Sequence, residues 1–278
     1  MVLSVILDSC VIYPMPLCDT LMRAAEAGLY EFYFSQEILD GATRNLVKKE
    51  RMVNAKEAHF QKEIKKYFPN GMVEVPDHLI AAMTNDPGDH HVVAAAIVAK
   101  AEVIVTANLD DFAVEALAPY DIEAWHPDDF LLDLDEQFPG KMITLIQQQS
   151  EALKTPPITT AELLDKLEKD NTVPKFARSI RCQMYSEEIV QTAKIALDIL
   201  GKAAPEGGRC YEGKWYRIWE KGKILTITAK DNRCEILRFE NGGIGGYLSS
   251  EDVQKFQKFA ETLEQESEEL KTQKSEIS

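Results

Sequence analysis

The run Val2-Leu3-Ser4-Val5-Ile6-Leu7, ending on Asp8, constrains this chain more than any other stretch. Its apolar, β-branched residues leave no polar face, so the strand belongs inside a parallel sheet covered on both sides. A carboxylate has no place in that interior. Asp8 stands instead at the carboxyl end, the edge where open α/β sheets hold their ligands. Taken alone, an acid at that position is more often the cap of the turn or helix that follows.

The pattern downstream alternates strand and helix. A loop with prolines at 14 and 16 follows Asp8, and Asp19 stands as the N-cap of a helix that Gly28 stops. Tyr30–Phe34 reads as a second strand, and Ser35 caps a helix from Gln36 to about Lys49 with Ile38, Leu39, Ala42 and Leu46 on one face. Val53–Tyr67 reads as a further helix and Met72–Val75 as a short strand. After the turn Asn85-Asp86-Pro87-Gly88, Asp89 opens a helix of small apolar residues; Val103–Thr106 is the next buried strand and Ile122–Trp125 the last. The expected organisation is an α/β domain over 1–135 with a parallel sheet flanked by helices, then a helical extension over 136–200 and a linker over 201–208. A small α+β domain over 209–265 follows, with strands at 215–219, 224–228 and 235–239 and a helix from Ser249 to Leu263, then a polar, disordered tail over 266–278.

Composition bounds the partners. The 278 residues carry a formal net charge of −15, which argues against a broad phosphate-binding surface but not against a nuclease with metal-binding acids and a local basic track. The five cysteines form no C-x-x-C pair, so neither a zinc site nor a disulfide framework is expected, and reduced thiols suit a cytoplasmic protein. The chain opens on the strand with no basic leader, and no apolar run reaches membrane-spanning length, so no membrane partner is expected.

Asp8, Asp89 and Asp111 each sit at the end of an element, and a parallel sheet brings their loops to one edge. Clustered carboxylates raise one another's pKa and persist where a cation compensates. Ligands that are all oxygen select a hard ion, Mg²⁺ or Mn²⁺, and the chemistry that follows is phosphodiester hydrolysis.

Three motifs carry a family resemblance: Val5-Ile6-Leu7-Asp8-Ser9, Asp89-His90-His91-Val92-Val93-Ala94-Ala95-Ala96, and Val105-Thr106-Ala107-Asn108-Leu109-Asp110-Asp111-Phe112. In this order over residues 2 to 135 the chain resembles a PIN domain, the fold of many toxin ribonucleases of prokaryotic toxin-antitoxin pairs. The resemblance implies a PIN-like parallel sheet and a metal-dependent endoribonuclease acting on single-stranded RNA. Asp8, Asp89 and Asp111 would be its metal-site and catalytic acids, with Asn108 polar beside them and Thr106 hydrogen-bonding near the first strand. It also implies an antitoxin partner and self-association as a homodimer. PIN domains usually carry a glutamate six residues after the serine that is here Ser35, and this chain has Gly41 there. Glu37, one turn earlier, and the adjacent Asp40 are the alternatives. The departure leaves a second reading open, a PIN-derived RNA- or protein-binding regulatory protein with impaired catalysis.

Other features carry two readings each. His90 and His91 flank Asp89, but adjacent residues at a helix start diverge, so both cannot serve one ion. Lys48, Lys49, Arg51, Lys56, Lys62, Lys65 and Lys66 are either a solvated helix face or a track for an RNA backbone, with Lys62, Lys65 and Lys66 the RNA-binding candidates. Trp215, Tyr216 and Trp219 either stack bases or fill a small β-rich core.

Overall fold

A computed structural model describes residues 2–12, 15–48, 54–169, 172–231 and 233–276. The chain forms two compact units, Met1–Phe176 and Ala177–Ser278.

In the first unit, β1 (Ser4–Leu7) lies between β2 (Glu31–Tyr33) and β3 (Val103–Val105), and β4 (Glu123–Trp125) completes a four-stranded parallel sheet in the order β2-β1-β3-β4. Val5, Ile6 and Leu7 pair with Val103, Ile104 and Val105, and all six are buried, as expected for a strand without a polar face. The order reverses between β1 and β3, so the crevice at their carboxyl ends is the topological switch point. Asp8 stands there, its N–H donating to the Val105 carbonyl at 3.0 Å.

The connections are mostly helical. α1 (Ser9–Ile12) is a single helical turn where a loop was expected, and α2 (Met15–Glu26) starts before the expected cap Asp19, which instead pairs with Arg23 at 3.0 Å one turn on. α3 (Gln36–Lys48) has the expected cap, Ile38 N–H donating to Ser35 Oγ at 3.3 Å, and α4 (Asn54–Tyr67) follows. Met72 makes only an isolated parallel bridge to Phe34 rather than a strand, because Pro76 ends the extended segment and opens the short α5 (Asp77–Ile80). α6 (His90–Ala99) is apolar almost throughout, with Val92 to Ala96 buried.

After β3 come a 3-10 turn, Leu109–Asp111, and α7 (Val114–Leu117). α8 (Pro127–Gln137), α9 (Lys141–Ala152) and α10 (Thr160–Lys169) follow β4 within the same unit. α9 is tied to α2 by a buried bond from Thr20 Oγ1 to Gln149 Oε1 at 2.8 Å.

α11 (Pro174–Leu200) is continuous to the end of the expected helical extension. Its residues Ile189, Val190, Ala193, Ala196 and Leu197 join the core of the second unit. That unit is a six-stranded antiparallel meander of β5 (Lys202–Ala203), β6 (Arg209–Glu212), β7 (Tyr216–Lys221), β8 (Ile224–Ala229), β9 (Glu235–Glu240) and β10 (Gly243–Gly246), paired in sequence order. The stretch expected as a linker at 201–208 thus holds a strand and a hairpin turn. Gly208 has φ +80°, and a Cβ there would lie 2.2 Å from the Glu220 carbonyl oxygen, so the glycine serves the turn rather than chain freedom. α12 (Ser250–Glu276) covers the core with Val253, Phe256 and Leu263, and its backbone is helical through residues expected in the tail; the last two residues lie outside those described.

Candidate active site

Asp8 is buried, at 2% exposure, with its two carboxylate oxygens in different circumstances. Oδ2 accepts a hydrogen bond from Thr106 Oγ1 at 2.8 Å, while Oδ1 is buried with no partner among the described residues. The Thr106 hydroxyl, itself buried, also accepts from Asn108 N–H at 3.1 Å, so it fixes the carboxylate and the start of the loop after β3 together. Cys10 closes the far side. Its Sγ lies 3.5 Å from Thr106 Oγ1 and accepts from Ala107 N–H at 3.3 Å, and burial with the Asp8 charge pushes the thiol up to about 12. It stays a neutral thiol.

Asp89 occupies the N-cap position of α6, yet its side chain makes no capping bond. Partial burial, and then the charges of Asp8, Asp111 and Asp86, push its carboxyl up to about 6. Asp89 therefore stands within electrostatic reach of both other acids. Asp111 ends the 3-10 turn, half-buried; its carbonyl accepts from Asp86 N–H at 3.3 Å and from Asn85 Nδ2 at 3.5 Å. Asn85, buried and missed in the sequence pattern because it opens an ordinary turn, also presents its carbonyl to His90 Nε2 at 3.0 Å. It thus bridges the loops that carry Asp89 and Asp111. Asp86 is a turn residue, its Oδ1 accepting from Gly88 N–H at 2.8 Å. Asn108 is exposed on the same loop, and its side chain caps nothing.

The α3 candidates fare differently. Asp40 Oδ1 accepts from Gln36 Nε2 at 2.7 Å and Gln61 Nε2 at 3.1 Å, which makes it a structural link between α3 and α4. Glu37 is exposed at the start of α3. Gly41 faces α1: a Cβ at 41 would lie 3.2 Å from Ser9 Cβ, beside Asp8 in the sequence. α3 thus approaches α1 most closely where a longer side chain would have stood.

Among the lysines, Lys62 is exposed, Lys65 Nζ donates to Gln36 Oε1 at 2.5 Å, and Lys66 pairs with Glu63 at 3.2 Å. The side chains of Lys48, Lys49, Arg51 and Lys56 lie outside those described.

Among the described residues, no three His, Cys, Asp or Glu side chains converge closely enough to enclose a metal ion. The donor set nonetheless fits a hard divalent cation. It offers a buried carboxylate oxygen on Asp8 with no partner among the described residues, a second carboxylate whose proton affinity is raised by burial and then by its acidic neighbours, and a third on the adjoining loop.

A parallel β2-β1-β3-β4 sheet with acids after β1, at the start of α6 and after β3 defines an α/β domain with an acidic edge. The comparisons give that class its family. Residues 4–110 match the PIN domain family, and residues 127–182 match the family described as the VapC50 C-terminal domain. A curated protein of Mycobacterium tuberculosis, described as "Putative ribonuclease VapC50", is 44% identical over 117 residues, 41% of this chain and 68% of that protein. The chain belongs to the PIN-domain family, in a VapC50-like arrangement. No solved structure matches it. Residues 183–278 lie outside both family matches.

Proposed function

We propose that this chain is a metal-dependent endoribonuclease of the toxin type that cleaves single-stranded RNA. The observation that carries the reading is the Asp8 carboxylate, buried at the switch point with Thr106 on one oxygen and no partner on the other. Burying an uncompensated carboxylate oxygen costs free energy, and such a group persists where a ligand completes it. Asp8, Asp89 and Asp111 would hold Mg²⁺ or Mn²⁺. When bound, the ion would lower the pKa of water and stabilise charge developing on the phosphate. The protein's own part is orientation. Thr106 fixes the Asp8 plane, Asn85 ties the Asp111 loop to the Asp89 turn, and the Cys10 thiol walls the back of the site.

The test compares Mn²⁺-supported cleavage of an unstructured RNA by wild type and Asp8→Asn, a substitution that keeps an oxygen for Thr106. Cleavage is expected to fall by about two orders of magnitude or more, and Mn²⁺ should raise the wild-type Tm by several degrees while leaving the variant unmoved. Equal cleavage by both proteins would sink the reading.

The close Gly41–Ser9 approach and the engagement of Asp40 favour one alternative, a PIN-derived RNA- or protein-binding regulator with impaired catalysis. RNA binding without calorimetric Mn²⁺ binding would select it. The family relationship further supports an antitoxin partner and a homodimer, which co-purification and sedimentation would each check. Among the described residues no helix is long and apolar enough to cross a membrane, and the five cysteines are unpaired, which supports a cytoplasmic setting.

A further inference from the structure

The acidity of this chain is not shared between its units. The first carries 15 Lys and Arg against 29 Asp and Glu, and the second 16 against 17. A polyanion is repelled by the unit that holds the acids and tolerated by the other.

Within the second unit, β6 and β7 are joined by three residues, Gly213, Lys214 and Trp215. The loop is pinned by Gly213 N–H donating to the Tyr216 carbonyl at 2.9 Å and Lys230 N–H donating to the Trp215 carbonyl at 2.8 Å. Of the aromatic cluster in this region, Trp219 and Tyr216 are committed. The Trp219 indole donates to the Gly207 carbonyl at 3.0 Å, and Tyr216 is buried against Phe256 with its hydroxyl on Asp252. Trp215 makes no hydrogen bond through its side chain among the described residues and is 47% exposed. Lys214 Nζ and Lys255 Nζ lie over its ring, 5.0 Å and 5.5 Å from the centre, and a stacking base would move them off the face. Beside it opens a cleft of about 110 Å³, floored by Phe256 and by the stacked pair Tyr211–Phe259. That volume is well below the roughly 300 Å³ at which small-molecule pockets begin. It suits one planar group inserted from a longer polymer.

We infer that this cleft is a nucleobase-binding subsite for single-stranded RNA, with one base stacked at Trp215 and Lys214 and Lys255 on the flanking phosphates. An exposed aromatic on a backbone-fixed loop offers stacking at little entropic cost, and two flexible ammonium groups beside it supply the polyanion's counter-charge. Lys214 makes no ion pair among the described residues, and Lys255 shares its charge with Glu251 at 2.7 Å. The choice of RNA over DNA rests on the proposed activity, while the stacking argument does not.

The experiment measures binding of fluorescein-labelled oligouridylate to the full chain carrying Asp8→Asn, in EDTA, by anisotropy. Adding Trp215→Ala should weaken binding about tenfold, as loss of one stacked base does, and Trp215→Phe should restore most of it. Replacing both Lys214 and Lys255 by Ala should flatten the dependence of affinity on salt. Lys214→Glu on the exposed loop, expected to weaken binding likewise, covers the case in which Trp215→Ala fails to fold. Unchanged affinity in a folded Trp215→Ala protein overturns the inference. So does quenching of Trp215 fluorescence by a proline-rich peptide but not by RNA, which would assign the cleft to a protein partner. Because cleavage plays no part in this assay, its failure and that of the nuclease reading are separable.

Discussion

At Asp8 a single carboxylate is divided between two tasks. One oxygen takes the Thr106 hydroxyl and keeps the loop after β3 in register, and the other is buried with no partner among the described residues, free for the proposed ion. Gly41 is the counterpart on α3. A mid-helix glycine costs about 1 kcal/mol relative to alanine, so Gly41→Ala should stabilise an unobstructed helix by that amount. Here the new Cβ would stand 3.2 Å from Ser9 Cβ, and tight packing opposes the gain. The expected outcome is no rise in Tm, or a fall; a rise worth the full propensity difference would show that α1 yields freely. Asp8, Asp89 and Asp111 stand out in the sequence because Asp8 ends an apolar strand, Asp89 opens an apolar helix and Asp111 follows an apolar strand. Asn85 does not, since the buried contact that distinguishes it from a turn residue arises only when the Asp111 loop folds back on it.

Among the elements, the best-defined helix start is made from a distance. Asp128 on α8 is buried, and its carboxylate accepts from Lys175 N–H at 3.0 Å and Phe176 N–H at 2.8 Å, capping the first turn of α11 across 48 residues of sequence. Asp128→Ala should cost about 1–3 kcal/mol, measured by denaturant unfolding, because it also strands two buried donors. Asp128→Asn, which keeps an acceptor, should cost less. Such a cap accounts for the start of α11 at Pro174. Its local signal is a proline at the first helical position, and its carboxylate comes from another element. The same logic separates the strands that were legible from those that were not. β1, β3, β7 and β8 carry enough β-branched and aromatic residues to announce themselves. β5 and β10, of sequence Lys-Ala and Gly-Ile-Gly-Gly, are strands only because β6 and β9 supply their hydrogen bonds.

For the molecule as a whole, pH acts through Asp252, which is buried in the second unit. Burial pushes its carboxyl up, but hydrogen bonds from Arg233, Ser249 and Tyr216 outweigh burial and hold it down at about 2, against an ordinary 3.8. The native carboxyl releases its proton more readily than the unfolded one. Its contribution, about 2 kcal/mol, is therefore complete above about pH 4 and is lost as pH falls through 2. Acid titration followed by fluorescence should show the second unit losing stability in that window. Arg233→Ala, which strands the buried carboxylate, should move the loss to higher pH and lower stability at neutrality by several kcal/mol. An unchanged acid midpoint in that variant would contradict the assignment.

The order in which the sheet is threaded has a consequence during synthesis. Asp8 is made well before its partners: its backbone partner is Val105, and its side-chain partner, Thr106, comes 98 residues later. β1 cannot acquire its second neighbour until β3 has left the ribosome, and Asp111 follows later still. A ribosome translating this protein therefore carries a chain whose acids are all but apart until well into elongation. If the finished enzyme cuts RNA, its own message is safe from the nascent copy for most of the time that the first unit is being made.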